Sequence, residues 1–186
     1  MSTSHNTIAI REYLYLSGLL HDIGILVLDQ FFHEEFAFLM NSSIESGESF
    51  LNVESRIVEN ETHPFVGGTL LEIWKLASPV LSAVRYHHTP DRAPELHKHL
   101  ATIVALSEYV LCEAKQSSSF EGHAKPLSDG AWESLSIKGD MKDTVSILQK
   151  KALDELEKSE IVLSSASGAL LHLREENKSV FTFGTI

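Results

Sequence analysis

Apolar residues recur at three- and four-residue spacing along most of this chain, and no stretch of useful length alternates apolar with polar. A helix shows the same face every 3.6 residues and a strand every second one, so this pattern buries a core between helices. The expected fold class is all-α. Ile10, Tyr13, Leu14, Ser17 and Leu20 fall near one face of a helix over 8–20. Gly24 marks a close approach or turn, and Ile25-Leu26-Val27-Leu28 continues as a helix toward Phe31 and Phe32, because a strand there has no partner. Further helices are expected over 33–44, around Phe36, Leu39 and Met40, and over 49–61, around Val53, Ile57 and Val58.

Start signals punctuate the middle of the chain. Thr62 is suited to an N-cap with Pro64 in the first turn, and Ser78-Pro79 repeats the pattern for a helix over 80–87. Thr89 to Pro94 reads as a turn-rich loop, and 100–112 as the most apolar helix. The Ser-, Gly- and Pro-rich stretch 116–130 is expected to be an exposed loop. Helices follow over 131–135, 141–157 and 161–173. With 186 residues, 43% of them hydrophobic, one domain over 1–175 and a tail over 176–186 are expected.

The formal net charge of −11 argues against a nucleic-acid partner and against docking on an anionic membrane, since both need clustered Lys and Arg. No unbroken run of about eighteen apolar residues exists, and the N-terminus shows no basic start followed by an apolar stretch, so neither a membrane span nor a signal peptide is expected. Cys112 is the only cysteine and lies beside an apolar run. A packed thiol in a reducing, cytoplasmic setting is the expectation.

Chemistry concentrates at helix ends. His21-Asp22 ends one helix, His63 begins another, His87-His88 ends a third, and Glu108 lies on a fourth. Imidazole and carboxylate are the ligands that a borderline divalent metal takes from protein, and bundle sites gather them from several helices. Each alone has a plainer use, as a cap or a carboxylate partner. Their conjunction makes His21, Asp22, His63, His87, His88 and Glu108 candidate ligands for a divalent ion such as Fe, Mn or Zn. His5, His97, His99 and His123 are read as solvated, and His33 and His172 carry no partner signal. A helix through 7–20 would hold His5 roughly 24 Å from His21 at 1.5 Å per residue.

The stretches Ser17 to Gly24, Thr62 to Leu71, Trp74 to Leu76, Pro79 to His88 and Ala101 to Glu108 resemble the HD superfamily, and more closely its HDOD family of bacterial signalling output domains. The similarity covers about residues 13–164. It implies an all-α, HD-like multi-helix bundle with a regulatory role. It also implies that the chain is shortened at its N-terminus, because the superfamily takes a first metal His from a helix well before the His-Asp pair. Where active cyclic-dinucleotide phosphodiesterases of this superfamily carry Lys, this chain has Ile25. Their Gly-Tyr-Pro segment is replaced by Thr89-Pro90-Asp91-Arg92, and the last metal Asp by Glu108.

These departures make a non-catalytic signalling module acting through protein partners the leading expectation. The alternative is a metal-dependent phosphohydrolase acting on a nucleotide or cyclic dinucleotide, with Lys75 or Arg85 neutralising phosphate. A third reading is a fragment whose exposed helix faces make it a homo-oligomer.

Overall fold

The computed structural model describes residues 2–58, 61–114 and 125–177, with side chains over 9–58, 61–114 and 125–159. The described residues form helices joined by short turns and contain no strand, as the periodicity requires. In chain order they form α1 (Ser2–Leu20), α2 (Ile23–Phe31), α3 (His33–Ser46), α4 (Phe50–Ile57), α5 (His63–Ile73) and α6 (Ser78–Tyr86). A 3₁₀ turn (Pro90–Arg92), α7 (Glu95–Glu113), α8 (Asp129–Ser134) and α9 (Met141–Asn177) follow.

Helix α6 is the centre of the bundle, packed against α5, α7 and α1. Leu71, Val80 and Val84 are buried between α5 and α6, with Tyr13, Leu20 and Ile23 packed on them. On the other side Ala83 meets Leu100 and Val104 of α7. Each large aliphatic side chain so enclosed contributes roughly 1.5–3 kcal/mol through removal from water. Leu39, Phe50 and Val53 close α3 on α4. Ala105, Leu106 and Val110 carry the core on to Ala131, Leu135 and Val145, which seats α8 and the start of α9.

Gly24 is the close approach that its position suggests. A Cβ there would lie 2.0 Å from the carbonyl oxygen of His63 and 2.9 Å from the Gly67 nitrogen. Only glycine lets α2 come this near to α5, and that contact brings the His21-Asp22 turn against the start of α5.

Several boundaries differ from expectation. His97 and His99 lie on α7, which starts directly after Pro94. Residues 125–130 are not a free loop: Leu127 is buried, and the Ser128 hydroxyl caps α8 by accepting from the Ala131 nitrogen at 3.1 Å. The same hydroxyl donates to Asp91 Oδ2 at 2.6 Å, tying α8 to the 3₁₀ turn. Residues 116–124, with His123, and 178–186 of the expected tail lie outside the described residues, as do the side chains of His5 and His172. The two helices expected over 141–157 and 161–173 are one continuous α9. Cys112 is half-buried.

No unbroken apolar run marks a span, yet the stretch Ala9–Phe31 is long and apolar enough, by length and composition only, to cross a membrane. In this fold the stretch is broken between α1 and α2 at the His21-Asp22 turn.

Candidate metal centre

The centre is built where α5 begins and α6 ends. At the first residue of α5, the backbone nitrogen of His63 is one of the helix donors that lack an intrahelical acceptor. Thr62 occupies the N-cap position, but its side chain makes no capping bond. Glu54 of α4 supplies one instead: the His63 nitrogen donates to its Oε1 at 2.6 Å, and His63 Nδ1 donates to its Oε2 at 2.7 Å. Both side chains are fully buried. The carboxylate thus fixes the ring and its tautomer, leaving the Nε2 lone pair directed away from Glu54.

His87 is set in the same manner by a different acceptor. Its Nδ1 donates to the carbonyl of Val84 at 2.7 Å, one turn back on α6, so Nε2 bears a lone pair. That Nε2 is sealed from solvent and has no hydrogen-bond partner. Burial, then the neighbouring His88 and His63 rings, push the His87 pKa down to about 3, so the ring stays neutral.

Asp22 faces these rings from the turn before α2. Its side chain is 36% exposed, yet Oδ1 is sealed and unpartnered. Oδ1 lies 3.7 Å from His63 Nε2 and 3.6 Å from His87 Nε2, while Oδ2 takes His21 Nε2 at 3.1 Å. Burial opposes ionisation of Asp22, but His21 beside Oδ2 outweighs it through hydrogen bonding and charge, holding the carboxyl well below the usual carboxylate range. His21 also meets the Gly18 carbonyl through Nδ1 at 2.9 Å.

His88 completes the group. Its Nε2 is 3.1 Å from His63 Nε2, and its Nδ1 is 3.6 Å from Glu108 Oε2. With His63 Nδ1 committed to Glu54, the proton between the two rings belongs to His88 while no metal is bound, and His88 Nε2 gives it up to serve as a ligand. Glu108 therefore lies beside the outer nitrogen of His88, away from the His63 contact.

The residues fit a divalent ion. One ligand nitrogen each from His63, His87 and His88 lie within 4.8 Å of one another, close enough to hold a metal together. Ligands about 2.1 Å from a tetrahedral ion stand roughly 3.4 Å apart, near the 3.6 and 3.7 Å that separate Asp22 Oδ1 from two of these nitrogens. A sealed lone pair on His87 and a sealed, unpartnered carboxylate oxygen on Asp22 lack what a buried polar atom requires, and a cation supplies it to both.

All six residues singled out in the sequence come together here. Lys75 and Arg85 do not join them. Lys75 lies exposed beyond the far end of α5, at φ 59°. Arg85 turns onto α5, where Nη2 meets Glu72 at 3.1 Å and the guanidinium sits 5.6 Å from the Phe65 ring centre. Two other cations, Arg92 and Lys125, line a cleft of about 470 Å³ onto which His87, His88 and Glu108 open. Glu54 went unrecognised in the sequence. Its signal was a carboxylate placed between Phe50 and Val53 on the buried face of an amphipathic helix.

Residues 3–90, which hold nearly all of α1 through α6 and five of the six candidate ligands, match the HDOD domain family. An uncharacterized protein of Treponema pallidum (strain Nichols) is 30% identical over 97 residues, which cover 52% of this chain and 19% of that protein. The match thus spans under a fifth of its length. No solved structure matches the chain.

Proposed function

We propose that this chain is a regulatory module of the HDOD type that acts through protein contacts, with its imidazole–carboxylate cluster serving as a metal-held tie between helices. The match of residues 3–90 to the HDOD family supports the module. The observation that carries the metal-held tie is the pair of sealed, unpartnered atoms, Asp22 Oδ1 and His87 Nε2, 3.6 Å apart. They belong to the α1–α2 turn and the end of α6, and His63 adds the start of α5. A divalent ion held by Asp22, His63, His87 and His88 would fasten these three elements together. The position after Gly24 supports a structural role: Ile25 is buried and brings no charge toward a phosphate.

A second reading is a metal-dependent phosphohydrolase, favoured by the cleft beside His87, His88 and Glu108 and by the two cations on its wall. There Arg92 and Lys125 would hold a phosphate, and a metal would lend Lewis acidity to the phosphoryl group. Hydrolysis of bis(p-nitrophenyl) phosphate and of cyclic dinucleotides by protein loaded with Mn, Fe or Zn separates the two. The module reading expects no turnover above that of the Asp22→Ala variant. Multiple turnovers that vanish in Asp22→Ala and weaken in Arg92→Ala establish the hydrolase.

A further inference from the structure

On the face formed by α2, α3 and α5 lies an apolar groove of about 400 Å³, lined by none of the six candidate ligands. Leu28, Leu39 and Leu70 line it together with Phe32, Phe65 and Ile73, which remain 52%, 45% and 70% exposed. Its only charged lining residues are Glu35 and Glu61, and neither is ion-paired among the described residues. Among the described residues no Lys or Arg lines it. Phe31 and Trp74, next in sequence to rim residues, are also exposed rings. Large contiguous apolar surface of this kind marks interaction sites.

We propose that this groove docks an amphipathic helix of a partner protein, with apolar residues seated in the groove and Lys or Arg flanking them to meet Glu35 and Glu61. The inference rests on the reading of the chain as a module that works through protein contacts. A helix suits the groove because it satisfies its own backbone hydrogen bonds, whereas an added strand needs a sheet edge, absent among the described residues. Charge selects the partner. A second copy meeting the same face would bring Glu35 and Glu61 of both copies together, within chains that each carry a formal charge of −11. An anionic lipid surface would be repelled by the same two carboxylates.

The test uses the full chain and a fluorescein-labelled designed helix with Leu along one face and Lys elsewhere. A Leu/Glu counterpart and a Ser/Lys peptide lacking the apolar face serve as controls, all read by fluorescence anisotropy at near-physiological salt. The Leu/Lys peptide is expected to bind saturably and at least about tenfold tighter than either control. Ile73→Arg, and the double change Glu35→Lys with Glu61→Lys, each weaken it by about tenfold or more with the melting curve retained. Leu96→Ser, on α7 outside the groove and 86% exposed, leaves binding unchanged.

Equal binding of the Leu/Glu peptide, or insensitivity to Ile73→Arg, overturns the proposal. So does concentration-dependent dimerisation abolished by Ile73→Arg, which assigns the groove to a second copy. Co-sedimentation with phosphatidylserine vesicles abolished by the same change assigns it to a membrane. Phosphodiester hydrolysis reads the module assignment separately, because Glu35, Glu61 and Ile73 lie outside the imidazole–carboxylate cluster.

Discussion

Glu54 grips His63 at two points, the backbone nitrogen at 2.6 Å and the ring Nδ1 at 2.7 Å, inside a fully buried pair. One carboxylate thereby caps α5 and sets the tautomer of a candidate ligand. Removing one partner of such a pair leaves buried donors without an acceptor, at a cost of about 3–5 kcal/mol. Glu54→Ala is expected to lose stability on that scale in urea unfolding. Glu54→Gln, which still offers one acceptor, loses about 1–3 kcal/mol. A loss below about 0.5 kcal/mol in Glu54→Ala, the range of an ordinary surface change, would contradict this role.

Acid should destabilise the metal-free protein before its carboxylates titrate. Folded His87 takes a proton only near pH 3, whereas an unfolded His takes one near 6.5. Between these values the unfolded chain binds more protons, so stability falls as pH drops, by up to about 1.4 kcal/mol per pH unit for this one group. Asp22, held below the usual carboxylate range, adds its own loss only under about pH 4. Melts in a chelator from pH 7 to 4.5 should show the His87 slope, and His87→Gln should flatten it. An unchanged slope in that variant assigns the acid sensitivity to other groups.

The two glycines of the α1–α2 region should respond in opposite directions. Gly24→Ala drives a methyl into the His63 carbonyl and is expected to cost about 3 kcal/mol or more. Nothing lies within 4 Å of a Cβ at Gly18, so Gly18→Ala gains up to about 1 kcal/mol from helix propensity. Thermal melts of the two variants decide this, and similar shifts in both would remove the α2–α5 contact as the reason for Gly24.

Lys75 ends α5 in the left-handed region at φ 59°, where the following Leu76 nitrogen donates to the Leu71 carbonyl at 3.0 Å. Glycine is at ease at such a helix end and lysine is not. Lys75→Gly is expected to raise stability by about 1 kcal/mol in urea unfolding. A fall in the urea midpoint would show instead that the Lys75 side chain contributes a contact.

The proximity of His21, Asp22, His63, His87, His88 and Glu108 is legible because imidazole and carboxylate groups at successive helix ends have few other joint uses, and because Gly24 announces close packing beside them. Glu54 was not, since a lone carboxylate in a helix reads as solvated unless its apolar neighbours at 50, 53 and 57 are weighed with it. Composition misled at 125–130, where polar residues surround a buried Leu127 and a capping Ser128. The start of α7 was signalled by Pro94, yet the polar run through His97 and His99 obscured it. No sequence pattern shows which way a cation on a helix turns, so the sequence leaves Arg85 open between a phosphate and a solvated face, and the fold holds it against Glu72 and Phe65.

Elemental analysis of protein purified without chelator, beside an Asp22→Ala/His87→Ala variant, tests most directly whether Asp22, His63, His87 and His88 form a metal site. About one equivalent of Fe, Mn or Zn in the parent chain, lost in the variant, is expected. Re-adding the metal to stripped parent protein at about a hundredfold over its dissociation constant should then stabilise it by about 2.7 kcal/mol. Metal well below one equivalent in both proteins, with no stabilisation on re-addition, would contradict the metal-held tie and leave the cluster bound by its own hydrogen bonds.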